Sequence, residues 1–294
     1  MRVLRSLLPA LYPVFSAGTS LRKAFGIPAA PRLRVALFHD VAPDEIPLFA
    51  AQMMWLQQSW TFASPDLFQR LMRGEVELEA DTLVLTFDDG FASNRRVAEE
   101  VLRPLGIRAL FFVATDFIAQ PDPEAARRFI VNRLKIGGSV EELPRHMTNM
   151  TWEDLSALNA MGHVIGSHTA SHARLGPELS SAELMHEVVV GADRLEDRLN
   201  VPVRHFAFPF GNIDSFSMEA MAISARRFDF VYSGLRGDNH PATSPCAIRR
   251  DSLSPTDGRH LVGAFLAGAA DLRYQRSNAL LDRWAASSAE QLPA

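Results

Sequence analysis

The stretch VLTFDDGFASN, residues 84–94, decides the reading of the chain. An apolar, β-rich run ends in two adjacent carboxylates and a glycine. Asp-Gly after such a run is also an ordinary turn signal. The choice between a turn and a functional strand end depends on what the other strand ends carry.

Working outward, strand and helix patterns alternate. RLRVALFHDV (32–41) reads as a strand and DEIPLFAAQMMWLQQS (44–59) as a helix, with Phe49, Met53 and Leu56 on one stripe. TFASPDLFQRLMRG (61–74) gives a short strand, a Ser-Pro helix start and a glycine stop. DTLVLTFDDG is a strand, residues 94–107 a helix and RALFFVATDF (108–117) a buried strand, since its apolar run is continuous. Residues 120–150 are charged and Pro-interrupted, which predicts an insertion or lid. Thr151 with Asp154 forms a capping-box pattern ahead of a helix, and HVIGSH (163–168) is a strand. A long helix over 180–200, a strand over 203–211, a helix over 218–228 and short strands in FVYSGL and CAIRRDSL follow. Residues 258–288 read as a terminal helix or helix pair.

This alternation predicts an α/β fold: about seven parallel strands wrapped by outer helices. No glycine fingerprint of a dinucleotide fold is present, so a distorted or incomplete (β/α) barrel is favoured over a doubly wound sheet. The expected organisation is an N-terminal extension (1–31), a catalytic domain (32–257) and a C-terminal helical segment (258–294).

Composition fits a globular chain of 294 residues, 47% hydrophobic and 22% charged, long enough for a large core. The net charge is −4 and no Lys/Arg-rich tract appears, so nucleic acid is not an expected partner. A single cysteine, Cys246, excludes an intramolecular disulfide and a Cys-based zinc site. No run approaches the ~20 apolar residues of a membrane span. Arg2, Arg5, Arg22 and Lys23 beside apolar residues describe a segment that either packs as a helix or makes peripheral membrane contact. The expected location is the cytoplasm, docked on the inner membrane through this segment; a periplasmic enzyme with an atypical leader is the alternative.

In a parallel barrel, the C-terminal strand ends converge on one rim. Here they deliver His39 and Asp40, then Asp88 and Asp89, then His168 with His172 four residues on, then Pro209 and Phe210. Two imidazoles and a carboxylate make a facial site for a divalent metal with open positions. The HxxxH pair is not a zincin motif, because Thr169 follows the first histidine and a strand precedes it. Adjacent carboxylates point different ways, so one can bind a metal while the other faces water. Asp89 is read as ligand and Asp88 as general base.

TFDDG (86–90), SHTASH (167–172) and FAFPFG (206–211), in this order, resemble the polysaccharide deacetylases with the NodB homology domain, carbohydrate esterase family 4. FHDV (38–41) and EVLRPLGIRALFFVATDFI (100–118) extend the resemblance over roughly residues 33–255. It implies metal-dependent removal of acetyl groups from N-acetyl sugars, on a glycan or a lipid-linked glycan precursor. Asp88 then matches the base, and Asp89, His168 and His172 the ligands of one divalent ion, with Zn expected and Co, Ni or Mn as alternatives. Phe210 matches the aromatic position whose backbone N–H supports the oxyanion, aimed by Pro209.

Two departures stand out. Many members carry Arg where this chain has Ala207, so another residue must orient Asp88; His39 is the first candidate, and Arg249 or Arg250 could also pair with it. The family's general-acid histidine has no clear match; His240, His260 or a path through His39 are the options. Competing functions are an amidohydrolase acting on a non-sugar C–N bond and a glycan-binding protein without turnover.

Overall fold

The computed structural model describes residues 30–290. The expected helix in the N-terminal extension lies outside them.

Eight strands form one sheet: β1 (Leu33–Phe38), β2 (Thr61–Phe62), β3 (Thr82–Phe87), β4 (Ala109–Val113), β5 (Val164–Ser167), β6 (His205–Ala207), β7 (Phe230–Tyr232) and β8 (Asp251–Ser252). Seven run in the order β7-β6-β5-β4-β3-β1-β8, and β2 pairs with the start of β3. Every pairing is parallel. The last seam is narrow. Ile248 bridges Tyr232 of β7, and three residues on Asp251 and Ser252 pair with Ala36 and Leu37 of β1. The result is the distorted (β/α) barrel that the alternation predicts.

The period-2 pleat sorts side chains into two layers. In β3, Leu83, Leu85 and Phe87 pack outward against helices, while Val84 packs inward. The inner layer also holds Leu33, Val35, Leu110, Phe112, Phe230, Tyr232 and Ile248. Helix Pro65–Met72 starts at Ser64, whose side chain accepts the Leu67 N–H. It contributes Phe68, Leu71 and Met72 to the same inner cluster. Phe68 lies 6.1 Å from both the Phe230 and Tyr232 rings, so this helix plugs the N-terminal end of the barrel. A fully buried phenylalanine of this kind is worth about 1.5–3 kcal/mol. With one end sealed by apolar packing, polar side chains collect at the other.

β1 carries an arginine in its outward row. Arg34 is fully buried and donates to both Asp251 oxygens (2.8 and 2.9 Å), to Asp271 (2.7 Å) and to the Phe265 carbonyl (3.0 Å). These bonds fasten the C-terminal helices Arg259–Leu266 and Gln275–Glu290, with the short turn between them, to the barrel.

Several elements differ from the sequence pattern. The apolar run after β4 is cut short at Val113 by a helical turn, Thr115–Ile118. The strand expected over 203–211 keeps only His205–Ala207, because the following residues turn into the site. The segment 120–150, read as an insertion or lid, carries helix Pro123–Phe129 and a π turn, Ile130–Leu134, which pack Phe129, Ile130, Leu134 and Met147 with Phe91 and Phe117 into a separate small cluster. His146 pins it to the rim by a 2.9 Å contact to Asp40. The capping box at Thr151 and Asp154 forms as its pattern predicts.

Candidate active site

The inward row of β3 continues Val84, Thr86, Asp88, so the pleat itself turns Asp88 into the barrel mouth. Asp89 follows in a left-handed conformation at φ 77°, which swings its carboxylate to the neighbouring position. Thr169 (67°), His172 (59°) and Phe210 (62°) share this backbone region. Among the described residues, four of the six non-glycine positions with positive φ thus sit in two site loops and beside Asp88. Each costs about 1 kcal/mol or more, and such strain gathers at functional sites. Gly211 is also left-handed (φ 65°), and a Cβ there would lie 2.4 Å from the Gly234 nitrogen. This tight contact holds the turn bearing Pro209 and Phe210 against the end of β7.

Asp89, His168 and His172 are buried, and one ligand atom from each lies within 4.8 Å of the others. His172 Nε2 is 3.3 Å and His168 Nε2 3.6 Å from Asp89 Oδ1. The opposite ring nitrogens face carbonyls: His168 Nδ1 to Ala207 O (2.7 Å) and His172 Nδ1 to Arg133 O (3.3 Å). A carbonyl only accepts, so each Nδ1 carries a proton, which leaves each Nε2 lone pair free to serve a cation beside Asp89. Burial pushes His168 down to about 4 against the pull of Asp88, which keeps it neutral near pH 7.

This arrangement fits a cation. Asp89 Oδ1 is buried with no hydrogen-bond partner, and two lone pairs converge on it. An orphaned buried carboxylate oxygen is costly unless a positive group satisfies it. Ligand bonds of about 2.0–2.2 Å place donor atoms roughly 3–4 Å apart, which matches the spacing here.

Asp88 is held by Arg250, not by His39. Arg250 Nη1 and Nη2 donate to the two Asp88 oxygens at 2.7 and 2.9 Å. Its Nε donates to Ser233 O at 2.8 Å, and its guanidinium lies 5.3 Å from the Phe112 ring centroid. The bidentate fork fixes the carboxylate plane. His39 is exposed on the cleft wall and belongs to its lining. Arg249 points the other way and pairs with Asp282 at 2.6 and 2.7 Å. The alternation of CAIRRDSL carried the signal: Ile248 faces inward, so Arg250, two residues on, does too, and Arg249 does not.

The cleft encloses about 320 Å³. Its walls include Leu134 and Ile136 from the insertion, Phe210 and Asn212, Arg236 and Tyr274. Arg236, Asn212 and Tyr274 have no motif of their own in the sequence. The Phe210 ring meets His172 edge to face at 4.9 Å, and the Phe210 N–H meets no acceptor among the described residues. Pro209 O accepts from Ser215 Oγ at 3.2 Å, which anchors that turn. His240 is exposed beside Asn239, which bonds the start of β1 at the plugged end of the barrel. Neither His240 nor His260 lines the cleft. His205 lies deeper inside, bonded to the Tyr232 hydroxyl at 2.9 Å. Trp152 sits outside the cleft under Arg198.

The polysaccharide deacetylase family description matches residues 75–223, which include all three motifs. The chain belongs to the polysaccharide deacetylase family. Its members are hydrolases of carbon–nitrogen bonds other than peptide bonds, and this chain is an enzyme of that class. Among solved structures, IcaB from Ammonifex degensii is similar at 23% identity, TM-score 0.64, over 81% of this chain and 98% of that one. Streptococcus pyogenes deacetylase PplD, solved with acetate, aligns at 19% identity, TM-score 0.60, over 81% and 99%. A de-N-acetylase from Aggregatibacter actinomycetemcomitans aligns at 17% identity, TM-score 0.62, over 80% and 99%. No curated protein matches the chain. Arg250, the partner of the deacetylase's Asp88, lies beyond the matched residues.

Proposed function

We propose that this deacetylase removes N-acetyl groups from a glycan or glycan precursor with a divalent ion held by Asp89, His168 and His172 and with Asp88 as general base. The observation that carries the reading is the division of labour between neighbours. Asp89 faces two imidazole lone pairs, while Asp88, one residue away, is locked by Arg250 with its carboxylate at the cleft.

The ion would supply Lewis acidity and lower the pKa of water toward ~7. Zn suits two imidazoles and a carboxylate, and Co, Ni or Mn can use the same donors. Asp88 takes the proton of the attacking water. The Phe210 N–H is placed to donate to the acetamide oxygen as its carbon becomes tetrahedral, a role worth several kcal/mol when water is excluded. His39, the exposed imidazole on the cleft wall, is the group that can return a proton to the departing amine. Asp40, Ser93 and His146 form a hydrogen-bonded chain behind it (2.7 and 2.9 Å) that steadies this part of the rim.

The test is acetate release from N-acetylglucosamine oligomers by metal-replete protein. Asp88→Asn should lower kcat by about 10²–10⁴-fold while bound metal stays at one per chain. Full activity in that variant would end the assignment of Asp88. Ring opening of a small cyclic amide, with no acetate release, would favour the amidohydrolase alternative instead.

The location follows from the same kind of argument. The basic, apolar residues of the N-terminal extension support a cytoplasmic enzyme docked on the inner membrane and acting on a lipid-linked precursor.

A further inference from the structure

We propose that the sugar this enzyme deacylates carries an anionic substituent, a phosphate or a carboxylate, received by Arg174 and Lys135 at one rim of the cleft. This rests on the deacetylase reading and names its substrate class.

The rim is built around His172. Its Nδ1 meets Arg133 O, which sets residues 133–136 beside it, and its ring meets Phe210 edge to face. Arg174 lies over the other part of this wall, with its guanidinium carbon 4.3 Å from the Phe210 ring centroid. That contact places the guanidinium while leaving its donors open. Arg174 is exposed, and no hydrogen bond or ion pair engages it among the described residues. Lys135 is exposed too, in a left-handed turn at φ 61° between Leu134 and Ile136, both of which line the cleft. It is likewise without an ion-pair partner among the described residues.

The lining supplies no acid to balance them. Its acids are Asp88 and Asp89, and the first is neutralised by Arg250. Arg236, on the opposite wall, is already paired with Asp251. A divalent ion exceeds the single charge of Asp89, so the loaded cleft is net positive before the rim is counted. Arg174, over Phe210, and Lys135, between Leu134 and Ile136, stand beside the lining, and a neutral N-acetyl glycan would leave both unpaired. An acidic group one sugar bond from the acetamide would satisfy both.

The experiment uses the full metal-loaded chain with three probes: N-acetylglucosamine 1-phosphate, a hyaluronan tetrasaccharide and neutral triacetylchitotriose. The expected result is a higher kcat/KM for one anionic probe than for the neutral one, and which probe wins separates phosphate from carboxylate. The anionic-to-neutral ratio should fall roughly tenfold in R174Q/K135Q and when ionic strength rises, and R174K should retain it. Equal or better turnover of the neutral probe, with a ratio indifferent to the double variant, overturns the inference and leaves the deacetylase reading intact. If no probe releases acetate, the deacetylase reading fails, and calorimetric binding decides the rim separately. Tighter binding of an anionic probe to wild type than to R174Q/K135Q supports it, and equal or absent binding overturns it.

Discussion

Replacing Arg250 by Gln is the sharpest perturbation of this site. In the native chain the guanidinium is buried, grips both oxygens of a buried Asp88 at 2.7 and 2.9 Å, and spends its remaining reach on Ser233 O. Glutamine removes the charge and leaves the carboxylate buried against weaker donors. Breaking one side of a buried pair costs about 3–5 kcal/mol. For a domain of this size each kcal/mol moves Tm by about 2 °C, so the variant should melt roughly 6–10 °C lower. Losing the fork also frees the carboxylate plane, so kcat per folded protein should fall by about 10²-fold, which simple loss of folded protein does not produce. Lysine keeps the charge but not the fork, and should fall between the two. The assay is acetate release per folded protein beside a melting curve, completed by Asp88→Asn and the double variant. The two changes should couple, with the double variant less destabilised than the sum of the singles. An unchanged kcat together with a Tm within about 1 °C of wild type would refute the claim that Arg250 replaces the arginine missing at Ala207.

Other predictions follow from the same geometry. Asp89→Asn should lower bound metal, measured by elemental analysis, from one per chain to a small residue, and chelation should lower the wild-type Tm but not that of the variant. Retained stoichiometry would remove Asp89 from the ligand set. Burial, reinforced by Arg73 and Arg204, pushes His205 down from 6.5 to about 3. Between those values the unfolded chain binds the extra proton, so stability is complete above about pH 6.5 and falls as pH falls, by about 1.4 kcal/mol per pH unit. Urea unfolding at several pH values should show a shallower acid dependence in His205→Phe by about that slope, and an unchanged slope would contradict a neutral buried His205.

Much of the site was legible in the chain itself. Alternation of strand and helix announced the barrel because hydrophobic period is a local property. Asp88, Asp89, His168 and His172 were legible because two short motifs at strand ends must meet on one rim. The partner of Asp88 was legible only as one of several candidates, since Arg250 comes 162 residues later in the chain, from a segment whose two paired residues give little strand pattern. His39 stood nearer in the sequence ordering of strand ends but faces the open wall. The strained turns at Asp89, His172 and Phe210 were equally hidden, because only a packed neighbour such as Gly234 against Gly211 can impose them. Sequence determined which chemistry the rim contains. Tertiary structure decided which charge neutralises which, because ion pairing depends on through-space distance and burial, and the closing seam between β7 and β1 brings distant residues together.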